Sequence, residues 1–196
     1  MAATHSGRVS RALAAMAAVA TAALGLASAA LAADGAFTLR STAVTPNGAL
    51  SNDQVYNGFG CSGRNISPAL AWSGAPKGTR SFAVTVYDPD APTGSGWWHW
   101  LVYNIPASVS ELPTGAGSAG GKLPAGAVQG RTDFGSAGFG GACPPAGDKP
   151  HRYIFTVYAL KVEKLDVAAG SSAAMVGFAL NANQLAKSSV TAFYGR

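Results

Sequence analysis

The chain has 196 residues, with fourteen Lys or Arg against nine Asp or Glu, a net charge of +5, and 48% hydrophobic residues. That surplus is small and scattered, with no run of Lys or Arg, which excludes the basic face of a nucleic-acid binder. The apolar share suits a single domain with a substantial core.

Residues 1–32 read as an export leader. Arg8 and Arg11 precede an Ala-rich apolar run, Ala12 to Ala33, and no charge follows until Asp34. A basic start, an apolar middle and small residues at Ala30 and Ala32 are what a signal sequence requires. Cleavage is expected after Ala32, leaving 33–196 as one domain that is periplasmic or secreted. The run is long enough to raise a membrane span. Its bulk is alanine, however, and no cysteine for lipid attachment stands at the cut, so no stable anchor is expected.

Beyond the leader, strand signals dominate. Phe37–Thr42 and Ala69–Trp72 are short candidates. Ser81–Asp88 alternates Phe82, Val84 and Val86 against Ala83, Thr85 and Tyr87, the period of two expected of a strand. Trp98–Ile105 alternates likewise, placing His99, Leu101, Tyr103 and Ile105 on one face. Arg152–Val162 is the longest run, setting Tyr153, Phe155, Val157 and Ala159 against Ile154, Thr156, Tyr158 and Leu160. Met175, Phe178, Ala179, Ala182, Leu185 and Ala186 recur at helical spacing between Ser172 and Lys187, predicting one helix with an apolar stripe. Ser189–Tyr194 is a last strand. The predicted fold is mainly β, an antiparallel sheet protein with one or two helices near the C-terminus. Long Gly/Pro/Ser-rich loops, 45–63, 89–96, 113–126 and 134–150, join these elements, and long loops on a rigid sheet commonly carry function.

Two cysteines, Cys61 and Cys143, both lie in glycine-containing loops. An even count in an exported chain predicts one disulfide. No C-x-x-C, H-E-x-x-H, G-x-S-x-G or P-loop pattern occurs, so no cofactor, metal or nucleophile motif is indicated. Gly58 to Gly63 matches G-x-G-x-x-G, but Pro68 stops the helix that a phosphate cradle needs. Past the leader two histidines remain, His99 and His151, each opening a strand that leaves a long loop. Asp88-Pro89-Asp90-Ala91-Pro92 ends another strand, and its prolines forbid continuation of the sheet. Convergence of Asp88, His99 and His151 would set a carboxylate beside imidazole, favouring imidazolium, a ready donor to a phosphate, sulfate or carboxylate. Gly138, Gly140 and Gly141 would let backbone N–H groups approach the same anion. Trp97, Trp98 and Trp100 are expected in core and rim packing.

These motifs in this order resemble the phosphatidylethanolamine-binding proteins, nearest to their bacterial and archaeal Raf-kinase-inhibitor-like branch. The resemblance rests on Asp88 to Pro92, Gly96-Trp97-Trp98-His99-Trp100, Gly140 to Pro145 and His151-Arg152-Tyr153, and spans Phe37 to Arg196. It implies a large central antiparallel sheet packed on a smaller one, with a cavity for phosphate-like anions and phosphoryl head groups at one end. By motif, Asp88 is the buried carboxylate and His99 the first imidazole. Cys143 precedes a wall of Pro144 and Pro145, and His151 and Tyr153 complete the site. Asp90 is expected to brace the loop. Two departures stand out. No helix follows Tyr194 where eukaryotic members close the pocket with one, and the aromatic motif reads Trp98-His99-Trp100 where those members carry a second histidine beside the pocket one. The expected function is therefore binding of a small anionic or phosphorylated ligand without catalysis. A kinase- or protease-inhibitor-like protein target, a homodimer, and a hydrolase using an Asp-His general base are the alternatives.

Overall fold

In the computed structural model, which describes residues 35–196, the long alternating runs form the middle of one sheet. The leader and its cleavage site lie outside the described residues. In chain order the elements are β1 (Thr38–Arg40), β2 (Asn57–Gly58), β3 (Cys61–Ser62), β4 (Leu70–Ser73), β5 (Ser81–Asp88) and β6 (Trp97–Pro106). There follow β7 (Glu111–Leu112), β8 (Val128–Gln129), β9 (His151–Leu160), α1 (Ala173–Asn183) and β10 (Gln184–Tyr194). The large sheet is antiparallel throughout, in the order β10-β9-β5-β6-β8, and the smaller one is β1-β4-β7. β2 and β3 form a separate hairpin.

The large sheet is covered on both faces. Phe82, Val84, Val86, Phe155 and Val157 meet Leu39, Leu70, Trp72 and Leu112 of the small sheet in the main core. Ala83, Leu101, Tyr103, Tyr158 and Leu160 meet Val176 and Leu180 of α1 in a second cluster. Each such side chain contributes about 1.5–3 kcal/mol on burial. Double coverage explains why β5 is apolar at both parities. Ser81, one of its buried polar residues, donates its hydroxyl to the Val162 carbonyl at 2.6 Å. Among the described residues, no helix is long and apolar enough to cross a membrane.

Two expectations are corrected. The alternation expected for β6 fails twice, because its pairing with β5 slips between Val86 and Tyr87 and again between Phe82 and Val84. The second slip carries Asn104 in the left-handed region (φ 59°), a conformation asparagine tolerates. Ile105 therefore joins the main core while Leu101 and Tyr103 face α1.

The helix is also shorter than expected and turned the other way. It stops at Asn183, because Gln184 already pairs with Leu160 in the β9–β10 ladder. Leu185 and Ala186 are thus strand residues. Ala173, Val176 and Leu180 are buried, whereas Met175 and Phe178 are 54% and 71% exposed. The segment is apolar on nearly every side, so spacing alone could not choose the face. Docking on Leu165 and Tyr158 chose it.

Candidate ligand site

Three neighbouring strands deliver the site. Asp88 ends β5, His151 opens β9, and His99 is the third residue of β6, which flanks β5 on the other side. With Tyr153, Cys143, Pro144 and Pro145 they line a cavity of about 160 Å³. The structure therefore brings every motif-carried residue to one place.

Asp88 is buried, and both its carboxylate oxygens are occupied. Oδ1 accepts from the Asp90 and Ala91 N–H groups at 2.8 and 3.1 Å, and Oδ2 accepts from His151 Nδ1 at 2.8 Å. Pro89 and Pro92 bend the chain so that these N–H groups turn back on the carboxylate. His151 Nε2 lies 3.4 Å from the half-exposed carboxylate of Asp148. A neutral imidazole has one N–H to give and a protonated one has two, and this ring has a carboxylate on each side. Asp90 does brace the loop. Its carboxylate takes a two-point guanidinium contact from Arg152, at 2.6 and 2.9 Å, and the Arg152 N–H at 2.8 Å. Those bonds hold its pKa down at about 2.

His99 owes its direction to the first slip in β6. Val86 pairs with Trp100 and Tyr87 with Trp98, so His99 is the extra residue of a bulge, a device that re-aims a side chain. It makes edge contacts with Tyr153 and Phe134, at ring-centroid distances of 5.1 and 5.4 Å. Nδ1 donates to the Gly140 carbonyl at 2.8 Å and lies 3.1 Å from that of Gly141. This fixes the tautomer and leaves Nε2 without a partner among the described residues. Burial pushes the His99 pKa down, against the pull of the two carbonyls and of Asp88. Burial therefore favours the neutral form of the His99 ring, and the imidazole that has the Asp88 carboxylate directly beside it is His151.

The expected role of the glycine segment is also corrected. The Gly140 N–H donates to the His99 carbonyl and the Gly141 N–H to Asn65 Oδ1, so neither is free for an anion. Their contribution is the pair of carbonyls that orient His99. Glycine is needed there for space. A Cβ on Gly140 would sit 2.3 Å from the Phe134 ring, and one on Gly141 would sit 2.4 Å from the Gln54 carbonyl oxygen.

The loop side of the cavity is tied down twice. The predicted Cys61–Cys143 disulfide is present and links the β2–β3 hairpin to the proline wall. Arg196 ties the same two segments, donating to the carbonyls of Pro144, Gly60 and Phe59 at 2.7, 3.0 and 3.3 Å. The hairpin turn is Phe59-Gly60 with φ of 53° and 81°, the two-positive pattern that normally selects Asn-Gly. A phenylalanine in that conformation, 68% exposed at the cavity mouth, is a strained placement. Phe59 and Phe134 both line the cavity and stack at 5.8 Å, yet neither belongs to a sequence motif. Of the three tryptophans, Trp100 is core, Trp98 packs against Tyr87, and Trp97 lines the cavity. Two lining residues, Trp97 and Tyr153, carry a buried donor, Nε1–H and O–H, with no partner. The Cys143 backbone N–H lies near the Tyr153 oxygen without hydrogen-bond geometry, and burial pushes the phenol pKa up.

The architecture is a two-layered antiparallel β-scaffold with a helix on the outer face of its large sheet and a buried Asp-His pair at one sheet end. The chain belongs to the phosphatidylethanolamine-binding protein family, whose model matches residues 40–195. It is 61% identical over 160 residues to UPF0098 protein YbcL of Escherichia coli, covering 81% of this chain and 87% of that protein. Identity to UPF0098 protein YbhB of the same organism is 56% over 145 residues, covering 74% and 91%. The crystal structure of E. coli YbcL superposes with a TM-score of 0.80, over 82% of this chain and 98% of that one. The homologue CT736 of Chlamydia trachomatis gives 0.68 at 31% identity, over 82% and 97%.

Proposed function

We propose that this protein is exported and binds a small phosphoryl-bearing anion in the Asp88–His99–His151 cavity, without turning it over. The observation that carries the reading is the convergence of Asp88, His99 and His151 on one small cavity, where His99 Nε2 has no partner among the described residues. Once protonated, that nitrogen donates to an oxyanion. The name of the family points to the same ligand chemistry. Hydrolysis through a threonine or cysteine nucleophile is disfavoured by what those groups already do. Thr93 donates to the Gly96 carbonyl at 2.5 Å, and the Cys143 sulfur is bonded to that of Cys61.

The proton linkage has a definite sign. In the empty protein burial lowers the His99 pKa, so acidification below the ordinary imidazole value destabilises the fold through this group. A bound anion at Nε2 favours the protonated ring, so binding takes up a proton and affinity rises as pH falls. Titration calorimetry with phosphate and phosphoethanolamine, at about pH 5.5, 7 and 8.5 to bracket the imidazole range, tests this. His99→Ala is expected to weaken binding about ten- to hundredfold, the worth of one charged hydrogen bond. Asp88→Asn is expected to weaken it too, by loosening His151. Affinity independent of His99, or tighter binding by Asp88→Asn, would sink the proposal.

A further inference from the structure

A second cavity lies behind Phe134, and the phosphoryl reading makes no use of it. At about 360 Å³ it is more than twice the size of the first. Its walls are the Gly/Ser-rich stretches 117–121 and 136–140, drawn from two of the long loops that the sequence singles out. They are fixed to each other and to the core. The Phe139 N–H donates to the Gly117 carbonyl at 2.8 Å, the Gly117 N–H donates to Ser67 Oγ, and the Ser67 N–H donates to Ser118 Oγ. Two glycines let aromatic rings approach. A Cβ on Gly117 would sit 2.3 Å from the Trp100 ring, and one on Gly140 would meet Phe134.

The chemistry of this lining differs from that of the first cavity. None of its fifteen residues carries a charge. Instead it presents hydroxyls and amides beside an aromatic wall of Tyr56 and Phe134, stacked at 4.4 Å. Gln129 Oε1 accepts from Trp100 Nε1 at 2.8 Å, which aims the side chain and leaves its NH₂ without a partner among the described residues. The Tyr56 and Ser136 hydroxyls have no partner there either. The Thr132 hydroxyl donates to the Ser136 carbonyl and keeps its lone pairs for a ligand.

We propose that this neutral, hydroxyl- and amide-lined cavity behind Phe134 is a binding site for a saccharide or closely similar polyol. A charged ligand would lose solvation against a wall with no counter-charge. A flat aromatic ligand would need a slot between rings, and Tyr56 and Phe134 already fill theirs by stacking. A sugar offers hydroxyls that both donate and accept, which matches amides and hydroxyls of mixed capacity. Its C–H face suits an aromatic wall, where polar and apolar contacts must be made together.

The test is amide chemical-shift mapping of the intact protein with glucose, N-acetylglucosamine and maltose at millimolar concentration. Saturable shifts are expected at 117–121 and 136–140, with little change at Asp88 or His151. Tyr56→Phe, which keeps the stacked ring, is expected to weaken binding roughly two- to tenfold, the range for one neutral hydrogen bond. Ala137→Trp, at an exposed wall position, is expected to fill the cavity and abolish the shifts. His99→Ala is expected to leave them intact, so the saccharide and phosphoryl readings stand or fall separately. No saturable shift with any of the three sugars overturns the proposal. So do shifts centred on the His99 cavity, or full binding by both Tyr56→Phe and Ala137→Trp.

Discussion

Replacing both disulfide cysteines, Cys61→Ser with Cys143→Ser, should cost far more stability than the bridge's surroundings suggest. The cysteines are 82 residues apart in sequence, and closing a loop of that length removes about 15 cal/mol/K from the unfolded chain, or about 4.5 kcal/mol at 25 °C. On the folded side little should change, because Arg196 independently ties Phe59, Gly60 and Pro144 together. The loss should therefore arise mainly in the unfolded state. Urea denaturation of the two proteins measures it. The expected result is a drop of about 3–4.5 kcal/mol in unfolding free energy with a larger m-value, since a freed unfolded chain exposes more surface. A loss below about 1 kcal/mol at unchanged m would show that the bridge does not constrain the unfolded chain. A large loss together with an altered wild-type fold, seen as dispersed shift changes across the cavity, would show instead that Arg196 cannot hold the wall alone.

Other consequences are as direct. Gly140→Ala places a methyl against the Phe134 ring and should destabilise by about 1–3 kcal/mol, while also moving the carbonyl that holds His99; denaturation and an imidazole NMR titration would report both. The Asp90 pKa is lowered from 3.8 to about 2, so its contribution is present above its ordinary value and is lost as pH falls towards 2. The pair is largely exposed, so that contribution should stay below about 1 kcal/mol, and Asp90→Asn should flatten the acid limb of the stability curve by that amount. Export predicts that protein from the native host begins at Ala33 by intact mass, and a full-length mass in a membrane fraction would contradict it.

The sequence carried the scaffold well wherever one physical rule acted alone. Period-two alternation located β5 at its bounds and β9 to within two residues, because both strands are regular and covered on both faces. It failed in β6, because bulges are register events between two strands and leave little trace in one of them. The same bulge aims His99, so its motif could place it at the site while its spacing put it on the wrong face. The helix failed for a different reason. A segment apolar all round has no preferred side until a neighbour supplies one. Phe59 and Phe134 escaped notice because neither lies in a periodic run or polar cluster, although an aromatic between Gly58 and Gly60 at a hairpin turn was a usable clue. Gly140 and Gly141 suggest anion-facing donors in the sequence, but close packing against Phe134 and Gln54 requires them, and their N–H groups are already committed.

The two halves of the site are held by different physics, and this bears on how its specificity can change. Asp88, His99, His151 and Tyr153 stand on three adjacent central strands of a doubly covered sheet, so moving any of them disturbs core packing. Phe59, Cys143, Pro144 and Pro145 stand on loops, positioned by one disulfide, one guanidinium and the backbone bridge between Val55 and Ala142. A substitution in the sheet half should therefore alter stability and affinity together. In the loop half, affinity can change while the fold is kept, provided that Cys61, Cys143 and Arg196 remain. Phe59 is the extreme case, being exposed, strained and outside the main core. A substitution at Phe59 is therefore expected to change affinity with the least effect on stability, since strained positions of this kind cluster at functional sites.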